Sequence, residues 1–343
     1  MTFREEFNEI LSMHQSNRKP EKRMEETETK PFPLIRLPSV AIYEVLKIMN
    51  IDEVIKFSDL SKITQSHARC SLKNNFKKYK CKMMLDLEHE SLWTHFWVNH
   101  DTSIYLKKDF ECPSNAHLIK CEKYMNYYIS LCTTVELKAS IINDHPNLVL
   151  QVLDVVLSFN LPIDSLVIQS AHENNNFIVD ILKKCRDVYL VEMHCAPLPP
   201  FELDFSDWEP LNIKIFQVLH AQWVTLDHMK GLLSNCRTLE LWKLQITDTE
   251  INEFLKYWQN KSVTVLKNLK FGTYKGNFPS AVAGLNAEDI GNSARIDARV
   301  VKFDQPGVVI QNNINGTRAI IYTRSHHFRL LTSDFADFQL PRQ

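Results

Sequence analysis

The chain has 343 residues, 44% of them hydrophobic and 10% aromatic, and a formal net charge of −1, with an isoelectric point near 6.9. A chain of this length buries a sizeable core in two or three structural units, and its balanced charge offers no field that would concentrate nucleic acid. It contains no apolar run of about eighteen residues, and its first fifteen, MTFREEFNEILSMHQ, carry charges where a signal peptide is apolar. The expectation is therefore a soluble protein of the cytoplasm, the nucleus or both, with neither nucleic acid nor membrane as partner.

The eight cysteines are spread from Cys70 to Cys236 without a C-x-x-C pair, too sparse for a disulfide scaffold. Cys112, His117 and Cys121 lie close in sequence, but a structural zinc site needs a fourth ligand. His326 and His327 are adjacent, so on a strand they point to opposite faces. No metal and no cofactor are expected. Of seven glycines only Gly231 precedes Gly272, and G-x-G-x-x-G, Walker and G-x-S-x-G motifs are absent. No acid, base and nucleophile cluster, so the chain is read as a non-enzyme with no catalytic residue.

In chain order, residues 1–30 form a tail whose SNRKPEKRMEETETK part mixes both charge signs with almost no apolar residue, a composition that does not offset its ordering entropy. Order begins at PFPLIRLP, where Pro31, Pro33 and Pro38 favour extended backbone and Pro38 can open a helix. Val40, Tyr43, Val45, Leu46 and Met49 predict a first helix. Asp52 can cap a second through Val54, Ile55, Phe57 and Leu60, and Ile63, Ala68 and Leu72 mark a third. KNNFKKYKCK, residues 73–82, reads as a solvated helix end, with a nuclear-import or phosphate-contacting patch as its other reading.

Three helices in about forty residues make a very small core, so their surplus apolar surface points to a partner. PFPLIRLPSVAIYEVLKIMNIDEVIKFSDLSKIT resembles an F-box. Leu37, Pro38, Val45, Leu46, Met49, Val54, Ile55, Leu60, Ser61 and Lys62 fall on the pattern, and Thr64 stands where many members have an arginine or an aromatic residue. The resemblance implies that residues 31–75 dock on the Skp adaptor, and through it a cullin, by Leu37, Pro38, Val45, Leu46, Met49, Ile55 and Leu60.

Residues 76–134 are expected to be a helical and aromatic linker region. Within them WTHFWVNH reads as a hydrophobic joint, with base stacking or metal binding as the weaker alternatives. Farther on, an apolar-x-x-apolar-x-apolar pattern recurs at Ile163/Leu166/Ile168, Cys185/Val188/Leu190, Cys236/Leu239/Leu241 and Leu266/Leu269/Phe271, with a weaker copy at Ile213/Ile215. The anchors Leu166, Val188, Ile213, Leu239 and Leu269 are 22, 25, 26 and 30 residues apart, the length of one strand plus one helix in a leucine-rich solenoid. Helical patterns fall between them in NNNFIVDILKKC, LDHMKGLLSNC and TDTEINEFLKYW, whereas CAPLPPFELDFSDWEP is excluded from a regular helix by its prolines.

Strict alternation in those strands then places Tyr189, Val191, Phe216, Glu240 and Trp242 on the face away from the core, a row with the composition of a protein-recognition surface. The alternative is that the chain's own C-terminal segment covers these rings. In that segment, β-branched runs lie around Gln305-Pro306-Gly307 and around Asn315-Gly316, a two-residue hairpin signal.

From about Val135 onward, the CRTLELWKLQI strand, the TDTEINEFLKYW helix, LKNLKFG and NGTRAIIYT are together similar to the F-box-associated type 2 region found beside nematode F-boxes. The expected fold is thus α/β: a short three-helix F-box (31–75), an irregular leucine-rich-repeat-like solenoid (135–275) and a small C-terminal β segment (276–343). The resemblance implies the substrate-recognition adaptor of a Skp-cullin-F-box ubiquitin ligase, holding an unidentified target protein on the solenoid. A scaffold or decoy outside the ligase, sequestering the Skp adaptor or a target, uses the same surfaces.

Overall fold

The computed structural model of the protein describes residues 34–49, 51–58, 60–75, 80–88, 91–98, 104–111, 115–131, 134–170, 175–198, 201–261, 265–336 and 338–339. The tail expected over residues 1–30 lies outside the described residues. Internal contacts separate two units, residues 1–45 and 46–343.

In the first unit a 3-10 turn at Leu34–Arg36 leads to Pro38, whose carbonyl accepts the Ile42 N–H at 3.1 Å and so starts helix α1 (Ser39–Ile48). A proline suits the entry of a helix because the N–H it lacks has no intrahelical acceptor there. Along α1, Ile42 and Leu46 are buried, whereas Val40 and Ile48 are 73% and 85% exposed.

The second unit continues with α2 (Ile51–Ser58) and α3 (Lys62–Asn75). Ser61 and Thr64 cap α3 reciprocally: the Thr64 N–H donates to Ser61 Oγ at 3.2 Å and the Ser61 N–H to Thr64 Oγ1 at 2.8 Å. Thr64 is buried, so the residue that departs from the F-box pattern serves the helix start. Helix α4 (Asn115–Leu131) receives α2 and α3 through the Tyr127 hydroxyl, bonded to Ser58 Oγ, and through Arg69 Nη2, which donates to Ser130 Oγ at 2.8 Å.

The remaining strands share one open, mixed sheet of fourteen among the described residues, in the order β14-β10-β11-β12-β13-β9-β8-β7-β6-β5-β4-β1-β2-β3. Its centre is parallel: β1 (Lys80–Glu88), β4 (Thr134–Ile142), β5 (Ile163–Ser170), β6 (Leu190–Cys195), β7 (Ile215–Val218), β8 (Thr238–Trp242) and β9 (Asn268–Gly272). At one end β2 (Ser91–Val98) and β3 (Ile104–Glu111) extend it antiparallel. At the other, β13 (His327–Thr332) pairs antiparallel with β9 and is followed across the sheet by β12 (Arg318–Arg324), β11 (Arg299–Gln311), β10 (Ala287–Ile296) and β14 (Phe338–Gln339).

Parallel strands need crossovers. Helices α5 (Pro146–Ser158), α6 (Asn175–Lys184), α7 (Leu226–Lys230) and α8 (Asp248–Asn260) supply four of them, and the described residues between β6 and β7 hold no helix. Each longer helix buries one stripe: Val149, Val152, Leu153 and Val156 on α5, Phe177, Ile178, Ile181 and Leu182 on α6, and Ile251, Phe254, Leu255 and Trp258 on α8. The strand residues of the core face are Ala139, Leu166, Val191, Phe216, Leu239 and Leu269, in lateral register and all at most 2% exposed. Burying each of the large ones is worth about 1.5–3 kcal/mol.

That register corrects two of the anchors. Val188 and Ile213 lie three residues before the true equivalents, Val191 and Phe216. Both are nonetheless buried, in the turns that enter β6 and β7, and these apolar turn residues imitate the strand pattern. A slip by an odd number of residues exchanges the two faces of a strand. Val191 and Phe216, expected on the recognition face, therefore belong to the core.

The 76–134 stretch holds strands β1–β3 besides helix α4, and WTHFWVNH contributes to β2. In the C-terminal part the Gln305-Pro306-Gly307 sequence lies inside β11, beside a register irregularity where Gly291 opposes Gly307. The β10–β11 turn falls instead at Asp297 and Ala298, both with positive φ. A longer loop, residues 312–317, replaces the two-residue turn at Asn315-Gly316. It is held because Asn312 Nδ2 donates to the carbonyls of Trp258 at 2.7 Å and Lys261 at 3.1 Å, at the end of α8.

Candidate interaction face

Opposite the core face, the parallel strands present a second face of mixed chemistry. Ser140, Val167, Glu192, Gln217, Glu240 and Lys270 stand in one lateral row from β4 to β9, because each pairs with the next across the ladder. Lys138, Ser165, Leu190, Ile215, Thr238 and Asn268 form the row before it.

Its charges are paired along and across strands. Glu192 Oε1 accepts the Nε2–H of His194 at 2.6 Å, two residues along β6. Glu240 Oε2 accepts from Lys270 Nζ at 3.2 Å, across the β8–β9 ladder, with side chains only 23% and 13% exposed. The same ammonium stands 4.3 Å from the centroid of the Trp242 ring, whose edge is met by His327 at 5.0 Å. Burial, reinforced by the cations Lys270 and Arg329, holds His327 below the ordinary imidazole value. A partly shielded network of this kind gives a face with fixed side-chain directions, which suits recognition better than mobile surface lysines would.

The face is bounded on one side. Tyr322, which pairs with Arg329, and Leu331, which pairs with Asn268, belong with Ile290, Ile296, Phe303, Val309 and Ile320 to a second apolar cluster. By strand alternation this cluster lies on the same side of the sheet as Lys270. The C-terminal strands thus carry their own apolar cluster on that side over β12 and β13, and His327 brings them to the Trp242 ring.

Beyond the carboxyl ends of β4–β6 is a cleft of about 280 Å³ lined by Ile142, Asp144, Gln169, His194, Ala196 and His220, among others. Lys243 Nζ donates to His220 Nδ1 at 3.5 Å, which leaves the ring proton on Nε2. Burial, then Lys243 and His194, push His220 below the ordinary imidazole value. Among the described residues no group of three or more His, Cys, Asp or Glu could hold a metal, and no helix is long and apolar enough to cross a membrane. Cys112, part of the sequence triple considered above, lies outside the described residues.

Residues 205–271 run from the loop before β7 through α7, β8 and α8 into β9, and they match a family model described as F-box associated. The segment is similar to that family. Over 108 residues the chain is also 29% identical to the Skn-1 dependent zygotic transcript 15 protein of Caenorhabditis elegans, covering 31% of this chain and 30% of the relative. The match spans less than a third of that relative's length.

Of the residues expected on the recognition face, Tyr189 is 48% exposed at the entry to β6, and Glu240 and Trp242 are half-buried on the mixed face. Val191 and Phe216 are fully buried on the other side. Glu192, His194, Gln217 and Lys270 take the central places and were missed. The i, i+2 pair Glu192 and His194 shares a face in any strand, a signal that becomes readable once β6 is set in register. Of the expected adaptor contacts, Pro38 and Leu60 are exposed, Leu37, Val45 and Met49 are half-buried, and Leu46 is buried. The Ile55 side chain lies outside the described residues.

Proposed function

We propose that the protein is the target-binding adaptor of a Skp-cullin-F-box ubiquitin ligase, with no catalytic role of its own. Residues 31–75 act as the F-box that docks on a Skp-type adaptor, and the parallel run β4–β9, read as an irregular leucine-rich-repeat-like solenoid, holds a target protein on its mixed face. Localisation to the cytoplasm, the nucleus or both follows from that role.

The observation that carries the reading is a coincidence of two features. The segment 205–271 is similar to F-box-associated regions, and the residues that precede the sheet include Val40 and Ile48 on α1, Leu60 in the turn between α2 and α3, and Ile63 on α3, each more than 60% accessible. Single exposed apolar residues are common, but four within so short a stretch of the chain are the surplus that a partner would cover.

The test is affinity purification of the full chain from cells that contain Skp-type adaptors. Retention of the adaptor and cullin, lost when Val40 and Ile48 are both changed to Asp, supports the reading. Failure of the wild-type chain to retain the adaptor, where other F-box chains do so, sinks it.

A further inference from the structure

Asn315 is the one asparagine of the chain that precedes a glycine, and it is exposed in the loop 312–317. The loop is held from beneath. Besides the two bonds of Asn312 Nδ2 to the end of α8, Asn312 Oδ1 accepts the N–H groups of Ile314 and Asn315, both at 3.0 Å. Asn313 donates its N–H to the Gln259 carbonyl and its Nδ2–H to Asn260 Oδ1, each at 2.8 Å. The Asn315 carboxamide is therefore carried on an anchored backbone.

Its Oδ1 accepts the Thr317 N–H at 2.9 Å, which turns the carboxamide back over the Asn315–Gly316 peptide, as asparagine does when it bonds the amide two residues on. The same N–H is a donor aimed at the oxygen that gains charge when a nucleophile adds to Cγ. Gly316 brings that nucleophile, its main-chain nitrogen, with no β-carbon to crowd the approach, and its φ of +73° is one that glycine adopts freely. The Gly316 N–H donates to the Asn312 carbonyl at 3.0 Å, and this bond has to open first. A neutral hydrogen bond contributes only about 0.5–1.5 kcal/mol, so it slows the attack without preventing it.

We propose that Asn315 is a site of spontaneous covalent modification in the folded protein, converting through a succinimide to isoaspartate and aspartate. Solvent base takes the Gly316 amide proton, the nitrogen pair forms a bond to Cγ, and the carbonyl pair moves onto Oδ1 beside the Thr317 N–H. The oxyanion collapses, the Cγ–Nδ2 bond breaks, and Nδ2 leaves as ammonia with a proton from water. Water then opens the ring. Attack at Cγ gives aspartate, whereas attack at the main-chain carbon gives isoaspartate, whose backbone is longer by the side-chain methylene. Either product adds a carboxylate, and the longer one changes the spacing between Asn312 and Thr317, whose N–H and carbonyl are bonded at 2.8 Å. Because Asn312 also holds the end of α8, the change is transmitted to that helix.

To test this, the full chain is kept folded in mildly alkaline buffer, sampled over time and digested, and electron-transfer fragmentation assigns each conversion to a residue. Conversion at Asn315 is expected to run about tenfold or more ahead of that at Asn313, an exposed neighbour followed by the β-branched Ile314. In the converted protein, amide hydrogen exchange in the last turn of α8 is expected to be faster than in Asn315→Asp, which adds the charge without the methylene. Conversion confined to samples unfolded in urea, or equal conversion at Asn313 and Asn315, overturns the proposal. Unaltered exchange in α8 overturns the transmission to that helix.

Discussion

Trp242 and Gly272 are paired across β8 and β9, and the indole lies so close over the glycine that a β-carbon at residue 272 would stand 2.3 Å from Trp242 Cε3. With Lys270 over the ring and His327 beside it, this contact fixes the Trp242 ring on the mixed face. Gly272→Ala is expected to destabilise the protein by about 1–3 kcal/mol, as overpacking does. Because the clash is with that ring, Trp242→Ala should relieve it. Urea denaturation of the two single variants and the double variant checks this: the double costs less than the sum of the singles.

Phe216 was a candidate for recognition by sequence and is wholly buried in the structure. Phe216→Ala should lower the unfolding free energy by about 3–5 kcal/mol, the range for a deleted core ring. Gln217→Ala, one residue on and on the opposite face, should stay within about 0.5 kcal/mol. Thermal melts distinguish the two, and a stable Phe216→Ala would mean that the ring faces solvent.

His228 closes α7 onto the proline-rich loop. Its Nδ1 accepts the Thr225 N–H at 3.1 Å and its Nε2–H donates to the Leu203 carbonyl at 3.1 Å, an arrangement that requires the neutral ring. Burial holds its pKa below the ordinary value. A folded pKa that is lower than the unfolded one gives stability that is complete above about pH 6.5 and is lost as pH falls through the folded value. His220 and His327 are shifted in the same direction. The urea midpoint should therefore drop between pH 7.5 and pH 5.5, less steeply in His228→Gln, which cannot titrate; equal slopes would contradict this account.

On α1, Leu46 is fully buried and Ile48 is 85% exposed. Leu46→Ala is expected to cost about 2–5 kcal/mol in stability, so any loss of adaptor binding it causes follows from unfolding. Ile48→Asp should leave the melting temperature nearly unchanged and still weaken adaptor binding. Calorimetry beside a pull-down separates them, and adaptor binding that survives Ile48→Asp argues against this side of α1 as the contact.

Cys121, Cys185, Cys195 and Cys236 are buried, and burial pushes each thiol pKa up to about 12. A thiol that stays protonated is a poor nucleophile. These four should resist a disulfide reagent at pH 8 until the chain is unfolded, while the exposed Cys70 reacts. Mass spectrometry of peptides from native and denatured protein reads the difference.

Local chemistry made the helices legible. The apolar stripes of NNNFIVDILKKC and TDTEINEFLKYW became the buried faces of α6 and α8, and Thr247 closes a capping box with Glu250 at the start of α8. The prolines of CAPLPPFELDFSDWEP excluded a helix there, and its described residues hold none. Strands β1–β3 were not foreseen; in β2, WTHFWVNH alternates too weakly to separate a strand from an aromatic joint.

The sequence by itself determined that a helical N-terminal part precedes repeated strand and helix units and a β-rich end, since propensity, capping and periodicity act between near neighbours. Tertiary structure alone decided which side of each strand faces the core. That choice depends on ladder partners some twenty-five residues away, a typical repeat length, and buried turn residues such as Val188 and Ile213 satisfy the same local pattern as Val191 and Phe216. Only the hydrogen bonds between β5, β6, β7 and β8 separate them, and with that register come Glu192, Gln217 and Glu240 on one face and the phenylalanine in the core.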